Sequence, residues 1–113
     1  MTVYKILTAN WNHGESFMKN FIAIHSFKSE KLRTAYLETL SNMEQSDVLA
    51  AITGSKAVCQ MNWMGVEGTD KSVCFWKAEN AEAIHEQLGE MNNFFYTECY
   101  EMMDEYSDFS AMR

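Results

Sequence analysis

Two hydrophobic periodicities alternate along the chain and predict a mixed α+β domain. Apolar residues at every second position indicate strands at residues 21–27, 57–64 and 94–102, and a nearly continuous apolar run indicates a central strand at residues 72–77. Apolar residues at helical spacing indicate helices over residues 30–43 and 81–88, with a shorter helix between Ser46 and Gly54. The predicted order is therefore β–α–(short α)–β–β–α–β, after a variable opening segment.

Short polar residues and glycines mark the ends of these elements. Ser29 and Asn80 are the expected N-caps, because their side chains can accept hydrogen bonds from free backbone N–H groups in the first helical turn. Gly54 and Gly89 stand where the second and third helices should stop. Further glycines between the second and third strands predict a hairpin loop.

This order is the split βαβ pattern of a ferredoxin-like βαββαβ sandwich. Its helices should pack on one face of a four-stranded antiparallel sheet. The strands carry so many aromatic and methionine residues that the open face also needs a cover. We expect a homodimer that closes sheet against sheet.

The length of 113 residues suits one domain. We expect an N-terminal extension at residues 1–17, the ferredoxin-like domain at 18–103 and an acidic C-terminal tail at 104–113. The acids near that end are interpreted as a solvated tail, with a cation-binding tail as the alternative.

Charge and hydropathy exclude several partners. A formal net charge of −7 disfavours phosphate backbones and anionic lipid surfaces, so we expect no nucleic-acid partner and no membrane partner. No apolar run approaches the roughly 18 residues of a membrane span. The opening residues also lack the apolar stretch of a signal peptide, and we expect a cytoplasmic protein.

The three cysteines, Cys59, Cys74 and Cys99, are odd in number and show no CxxC spacing. Each falls inside an apolar strand-like run, so we expect buried, reduced thiols. The histidines and cysteines also lack the spacing of a metal site, and we expect no metal and no cofactor.

Six residues are candidate ligand-binding groups. His25 lies in the middle of an apolar strand, where an imidazole can anchor a ligand, move a proton or be a satisfied core residue. It is also the candidate catalytic residue. Glu98 could face His25 across neighbouring strands and shift both pKa values.

The other four candidates lie on the second and third predicted strands. Gln60 and Asn62 should share one strand face, where two amides could orient a carbonyl or carboxylate. Trp63 and Trp76 could wall an apolar cavity, although ordinary core packing also explains them.

Several runs carry a family resemblance: NFIAIHSF, SEKLRTAYLETL, CQMNW, VCFWKAENAEAIHEQL and FFYTECYEM. Residues 18–103 are similar to small bacterial proteins of the dimeric α+β barrel superfamily, in particular its uncharacterised stand-alone ferredoxin-like members. The resemblance implies the ferredoxin-like fold and a dimer. It leaves the activity open, because the superfamily includes cofactor-free monooxygenases, haem-degrading enzymes, nickel-binding proteins and members without known activity.

Three functional hypotheses follow. The first is a dimeric binding protein with an apolar pocket for a fatty-acid-like or aromatic small molecule. The second is a cofactor-free monooxygenase or isomerase that uses His25 in a pocket. The third is a structural dimer module without a ligand, so the sequence leaves enzymatic activity undecided.

Overall fold

A computed structural model describes residues 6–8 and 18–113, and only the backbone of residues 6–8. Most of the predicted N-terminal extension, residues 1–5 and 9–17, lies outside the described residues. The strands are β1 (Ile6–Thr8), β2 (Lys19–Phe27), β3 (Ala57–Met64), β4 (Lys71–Ala78), β5 (Phe95–Met102) and β6 (Glu105–Ser107). The α-helices are α1 (Glu30–Ser41), α2 (Gln45–Ala51) and α3 (Ala81–Leu88).

The central element is a four-stranded antiparallel sheet in the order β3-β4-β2-β5. The two flanking strands β1 and β6 pair with each other in a separate small sheet. The predicted α+β class with a four-stranded antiparallel sheet is confirmed. No helix in the described ranges is both long and apolar enough to cross a membrane.

The predicted helix ends are largely confirmed. The Ser29 Oγ accepts a hydrogen bond from the Leu32 N–H at 3.1 Å, and the Asn80 Oδ1 accepts one from the Ala83 N–H at 2.8 Å. Gly89 ends α3 with a φ of +54°, a backbone conformation that favours glycine. Helix α2 ends two residues before Gly54, at Ile52 as its C-cap.

The core lies between the helices and one face of the sheet, which we call the inner face. Alternate residues of β2, including Phe21, Ala23 and Phe27, are buried there. Trp76 on β4 and Ile84 on α3 are fully buried in the same cluster. The period of two along the strands therefore places one complete set of apolar side chains under the helices.

Strand β3 contains a bulge that the sequence pattern did not reveal. Cys59 pairs with Trp76, but the next pair in the register is Met61 with Phe75, which leaves Gln60 as an extra residue. An extra residue reverses the side-chain alternation beyond it. The predicted shared face for Gln60 and Asn62 is therefore wrong, as is the grouping of Cys59 with Met61.

The opposite, outer face of the sheet carries several exposed apolar side chains, whereas Asn20 and Lys77 at one end of it are buried. Its exposed large side chains are Met61, Trp63, Val73, Tyr96, Tyr100 and Met102. Scattered apolar side chains are normal at a protein surface, but six on three strands of one sheet face are typical of an association surface.

Two leucines test the burial pattern with the same chemical change. Leu88 on α3 is 5% exposed, whereas Leu49 on α2 is 52% exposed. We expect Leu88→Ala to lower the free energy of unfolding by about 2–5 kcal/mol, because it removes buried apolar atoms and enlarges a cavity. Leu49→Ala should change it by less than about 0.5 kcal/mol. Urea denaturation followed by tryptophan fluorescence measures both, and equal effects would contradict the described core.

Candidate functional site

A cavity of about 170 Å³ lies between the helices and the inner face of the sheet. Most of its wall is apolar. The helices and the segment before β5 contribute Tyr36, Leu40, Met43, Val48, Ala51, Ile52, Leu88, Met91 and Phe94. The sheet contributes the floor, with His25, Cys59, Asn62, Cys74, Trp76 and Phe95. Because Asn62 and Thr39 of the lining are exposed, the cavity reaches the surface beside them.

His25 occupies the centre of this floor and is only 2% exposed. The strand register places it between Ser72 on β4 and Thr97 on β5. Its Nδ1 lies 2.7 Å from the Thr97 Oγ1, and its Nε2 lies 3.3 Å from the Cys74 Sγ. The ring also packs on Phe95, with a centroid distance of 4.3 Å. Both ring nitrogens are thus engaged, as a buried imidazole requires.

Several hydrogen-bonding groups surround the Cys74 sulfur. The Asn62 Nδ2 donates to it at 3.1 Å, and the same amide donates to the Ser72 Oγ at 2.8 Å. The Cys59 thiol and the His25 Nε2 complete the group. A thiolate only accepts hydrogen bonds, so a sulfur with several donors is suited to the deprotonated form.

These contacts shift the acidities of the two neighbouring thiols in opposite directions. The hydrogen bond from Cys59 lowers the pKa of Cys74 to about 5, with further lowering by His25 and Asn62, although burial opposes the shift. The hydrogen bond to Cys74 and burial both raise the pKa of Cys59. Cys74 is therefore the more acidic of the two thiols.

Tyr36 and Cys99 remain protonated beside this pair. Burial raises the pKa of Tyr36 to about 12, and the nearby Cys74 and Cys59 charges add to the shift. Burial also raises the pKa of Cys99, again with a contribution from Cys74. Cys74 is therefore the thiol of this site that ionises first.

Trp76 adds an unused donor to the cavity wall. Its side chain is fully buried, and its indole Nε1–H has no hydrogen-bond acceptor among the described residues. An unsatisfied buried N–H costs about 1–3 kcal/mol. A ligand that carries an acceptor would remove that cost.

The structure brings three of the six predicted site residues together. His25, Asn62 and Trp76 all line the cavity. Trp63 is 75% exposed and lies on the outer face, so it does not wall the cavity with Trp76. Gln60 is the exposed bulge residue, and its amide donates to the carbonyl of Val58 at 3.2 Å on its own strand.

The expected contact between Glu98 and His25 does not form. Glu98 pairs with Ile24 in the register and therefore lies on the outer face, whereas Thr97 pairs with His25. The Glu98 carboxylate instead accepts a hydrogen bond from the Tyr100 hydroxyl at 2.8 Å. This hydrogen bond raises the pKa of Tyr100.

Cys59, Cys74 and Thr97 are the site residues that sequence reasoning missed. The cysteines were interpreted as small hydrophobic residues, which gave no reason to connect them with His25. The one available signal was that Cys59 and Cys74 lie on strands joined by a hairpin. Their contact still depends on the bulge, which the pattern does not show.

No three histidine, cysteine, aspartate or glutamate side chains are placed to hold a metal ion in the part of the chain that the structure describes. Comparisons of the chain with protein-family models, with curated proteins and with solved structures find no match. The candidate function therefore depends on the geometry of the cavity.

The acidity of Cys74 can be measured directly. Thiolates absorb near 240 nm, and we expect the first thiol titration of the folded protein to have a midpoint near pH 5. Asn62→Ala should move that midpoint upward, because it removes a donor to the thiolate. Gln60→Ala changes an exposed amide on the same strand and should leave the midpoint unchanged. A midpoint near the ordinary pKa of about 8.5 in the parent protein would contradict the described cluster.

Proposed function

We propose that the protein binds a small aromatic molecule in the cavity between the helices and the inner face of the sheet. The observation that carries the proposal is an apolar cavity lined by Trp76, whose buried Nε1–H has no acceptor among the described residues. Convergent polar groups in an apolar cavity are typical of small-molecule sites.

The volume favours one ring over a long chain. A dry apolar cavity of about 150 Å³ holds benzene, and this cavity measures about 170 Å³. A fatty-acid chain needs more room than that. An aromatic ring also suits the wall, because Tyr36, Phe94 and Phe95 already pack edge to face around it.

The polar groups favour a ring that carries a hydrogen-bond acceptor. The Trp76 N–H is available for such a group. Asn62 lies at the exposed rim of the cavity, where its amide already donates hydrogen bonds to the Ser72 Oγ and the Cys74 Sγ. A phenol or an aromatic carbonyl compound combines the required ring with one acceptor.

We further propose that the domain is ferredoxin-like and dimerises through the outer face, as in the dimeric α+β barrel superfamily. The strand order β3-β4-β2-β5, with antiparallel pairing throughout, supports this fold. The outer face also suits a second copy electrostatically. Its exposed charges include Lys71 and Glu98, which have opposite signs, although the chain as a whole has a net charge of −7. Two copies can therefore meet there with little repulsion.

A cofactor-free oxygenase or isomerase is the second candidate. The observation that favours it is His25, a titratable group on the cavity floor with its Nε2 beside Cys74. A proton could move between a bound substrate and this pair. The third hypothesis, a structural dimer without a ligand, predicts a tightly filled dimer interface without a cavity and stays an alternative.

Two alanines of α2 test the binding site with a matched change. Ala51 lines the cavity, whereas its neighbour Ala50 is exposed. We expect Ala51→Leu to weaken binding of toluene and p-cresol at least about tenfold, because the larger side chain occupies the ligand volume. Ala50→Leu should bind both compounds like the parent protein. Titration followed by NMR chemical shifts measures the affinities, and no binding of either compound to the parent protein would refute the proposal.

The acceptor requirement has its own test at Trp76. We expect Trp76→Phe to weaken p-cresol binding about threefold to tenfold, the value of one neutral hydrogen bond. Toluene has no acceptor and should bind the variant and the parent protein alike. An equal change for both compounds would assign the effect to cavity shape instead of the indole N–H.

Dimerisation is tested with two valines. Val73 lies in the middle of the outer face on β4, and Val66 lies in the loop between β3 and β4. We expect sedimentation velocity at micromolar concentration to show a dimer for the parent protein and for Val66→Asp. Val73→Asp should give a monomer, because a carboxylate would be buried without a partner in the interface. A monomeric parent protein would overturn the proposed dimer.

A further inference from the structure

We propose that Cys74 and Cys59 form a dithiol redox site on the cavity floor, in which Cys74 reduces a small hydroperoxide and Cys59 resolves the product as a disulfide. This activity goes beyond ligand binding and does not require the aromatic ligand. The hydroperoxide class follows from the chemistry of the pair, because an adjacent thiol converts the first oxidation product into a disulfide.

The surroundings of Cys74 differ from those of a structural core cysteine. A structural cysteine lies among apolar atoms and behaves as a small hydrophobic residue. The Cys74 sulfur instead has the Asn62 amide at 3.1 Å and the His25 Nε2 at 3.3 Å, in addition to the Cys59 thiol. Reactive cysteines are found among such donors, where the thiolate is stabilised.

The hydrogen bonds around a Cys74 thiolate are satisfied whether His25 is neutral or charged. A Cys74 thiolate accepts from the His25 Nε2–H and from the Asn62 amide. The Thr97 hydroxyl then donates to the His25 Nδ1 if the ring is neutral, or accepts from it if the ring is charged. In both states the Nε2–H points to the sulfur, so Thr97 orients the imidazole for Cys74.

The strand register assigns the resolving role to Cys59. Cys59 on β3 and Cys74 on β4 lie on the inner face of neighbouring strands, and the bulge at Gln60 lies between their pairs. Both cysteines line the same cavity, the Cys59 thiol donates to the Met61 carbonyl at 3.6 Å, and it is near enough to Cys74 to shift the pKa of that thiol. Cys99 pairs with Ala23 on β2, and β2 separates it from Cys74.

The cavity gives a hydroperoxide access to the sulfur. Cys74, Cys59 and Asn62 all line it, and Asn62 is at the exposed rim. Hydrogen peroxide is much smaller than the volume of about 170 Å³. The sulfur is therefore shielded from large oxidants and open to small ones.

The two steps balance in atoms and electrons. The Cys74 thiolate attacks the terminal oxygen of the hydroperoxide, an S–O bond forms and the O–O bond breaks. The alkoxide, or hydroxide from hydrogen peroxide, takes a proton from solvent, and the sulfur has lost two electrons as a sulfenic acid. Cys59 then attacks this sulfur and loses its proton, the S–O bond breaks, and water leaves as the disulfide forms. An external thiol reductant returns the disulfide to two thiols at the expense of its own oxidation.

The low pKa of Cys74 determines the pH at which its reactivity differs most usefully from that of an ordinary cysteine. With a pKa of about 5, Cys74 is mostly thiolate at pH 6, whereas an ordinary cysteine is less than about 1% thiolate there. A thiolate of lower pKa is also less nucleophilic, by roughly 40-fold over this difference. The net advantage of Cys74 at pH 6 is therefore roughly tenfold, it disappears near pH 7, and an ordinary thiol reacts faster at pH 8.

The test is the reaction of the full chain with one equivalent of hydrogen peroxide at pH 6, without added aromatic compound. We expect intact mass spectrometry to show the loss of two hydrogen atoms and peptide mapping to identify a Cys59–Cys74 disulfide. Cys59→Ser should stop at a Cys74 sulfenic acid that dimedone traps. Cys99→Ser is the matched control and should form the disulfide at the parent rate.

Competition within the parent protein keeps the test independent of whether a Cys74 variant folds. Cys74 should react at least roughly tenfold faster than Cys99 at pH 6, because burial makes Cys99 less acidic than an ordinary cysteine, and this preference should shrink as the pH rises. Oxidation of Cys99 before Cys74, or a disulfide between other cysteines, would overturn the proposal. So would a Cys74 that remains reduced under these conditions. None of these readouts depends on whether toluene or p-cresol binds.

Discussion

The pairing of β2 with both β4 and β5 is the constraint on which the rest of the structure depends. It places His25 between Ser72 and Thr97, and it places Ala23 between Cys74 and Cys99. A slip by one residue would turn every one of these side chains to the outer face, because the alternation along a strand has a period of two.

The inner face combines an apolar core with a polar cluster, and the two have different physical roles. Trp76, Ile84 and Leu88 remove large apolar areas from water and contribute most of the stabilisation. His25 and its partners contribute little net stability, because hydrogen bonds to water are exchanged for hydrogen bonds within the protein. A satisfied network of this kind instead fixes the positions of its polar side chains within the core.

The outer face shows the complementary situation. Several of its aromatic and methionine side chains are exposed to water in the described chain, yet β2 and β4 need cover on both sides to exclude water from the centre of the sheet. The exposed set is the basis of the proposed dimer, and the unpaired Trp76 N–H is the basis of the proposed ligand site. Both features are exposed or unsatisfied groups whose cost a partner would remove.

The helices and strands of this protein could be predicted from its sequence because local interactions determine them. The four strands of the main sheet, the three helices and the caps at Ser29 and Asn80 follow from alternation, helical spacing and short polar side chains, all of which act within a few residues. His25 was also found this way, because an imidazole in an apolar strand contrasts with its neighbours.

The sequence did not decide which side chains meet across strands. Because of the bulge at Gln60, Asn62 lies on the inner face and Trp63 on the outer face. The register places Thr97, and not Glu98, beside His25. These contacts depend on pairing between segments far apart in the chain, so only the tertiary structure brought Cys59 and Cys74 together beneath the cavity.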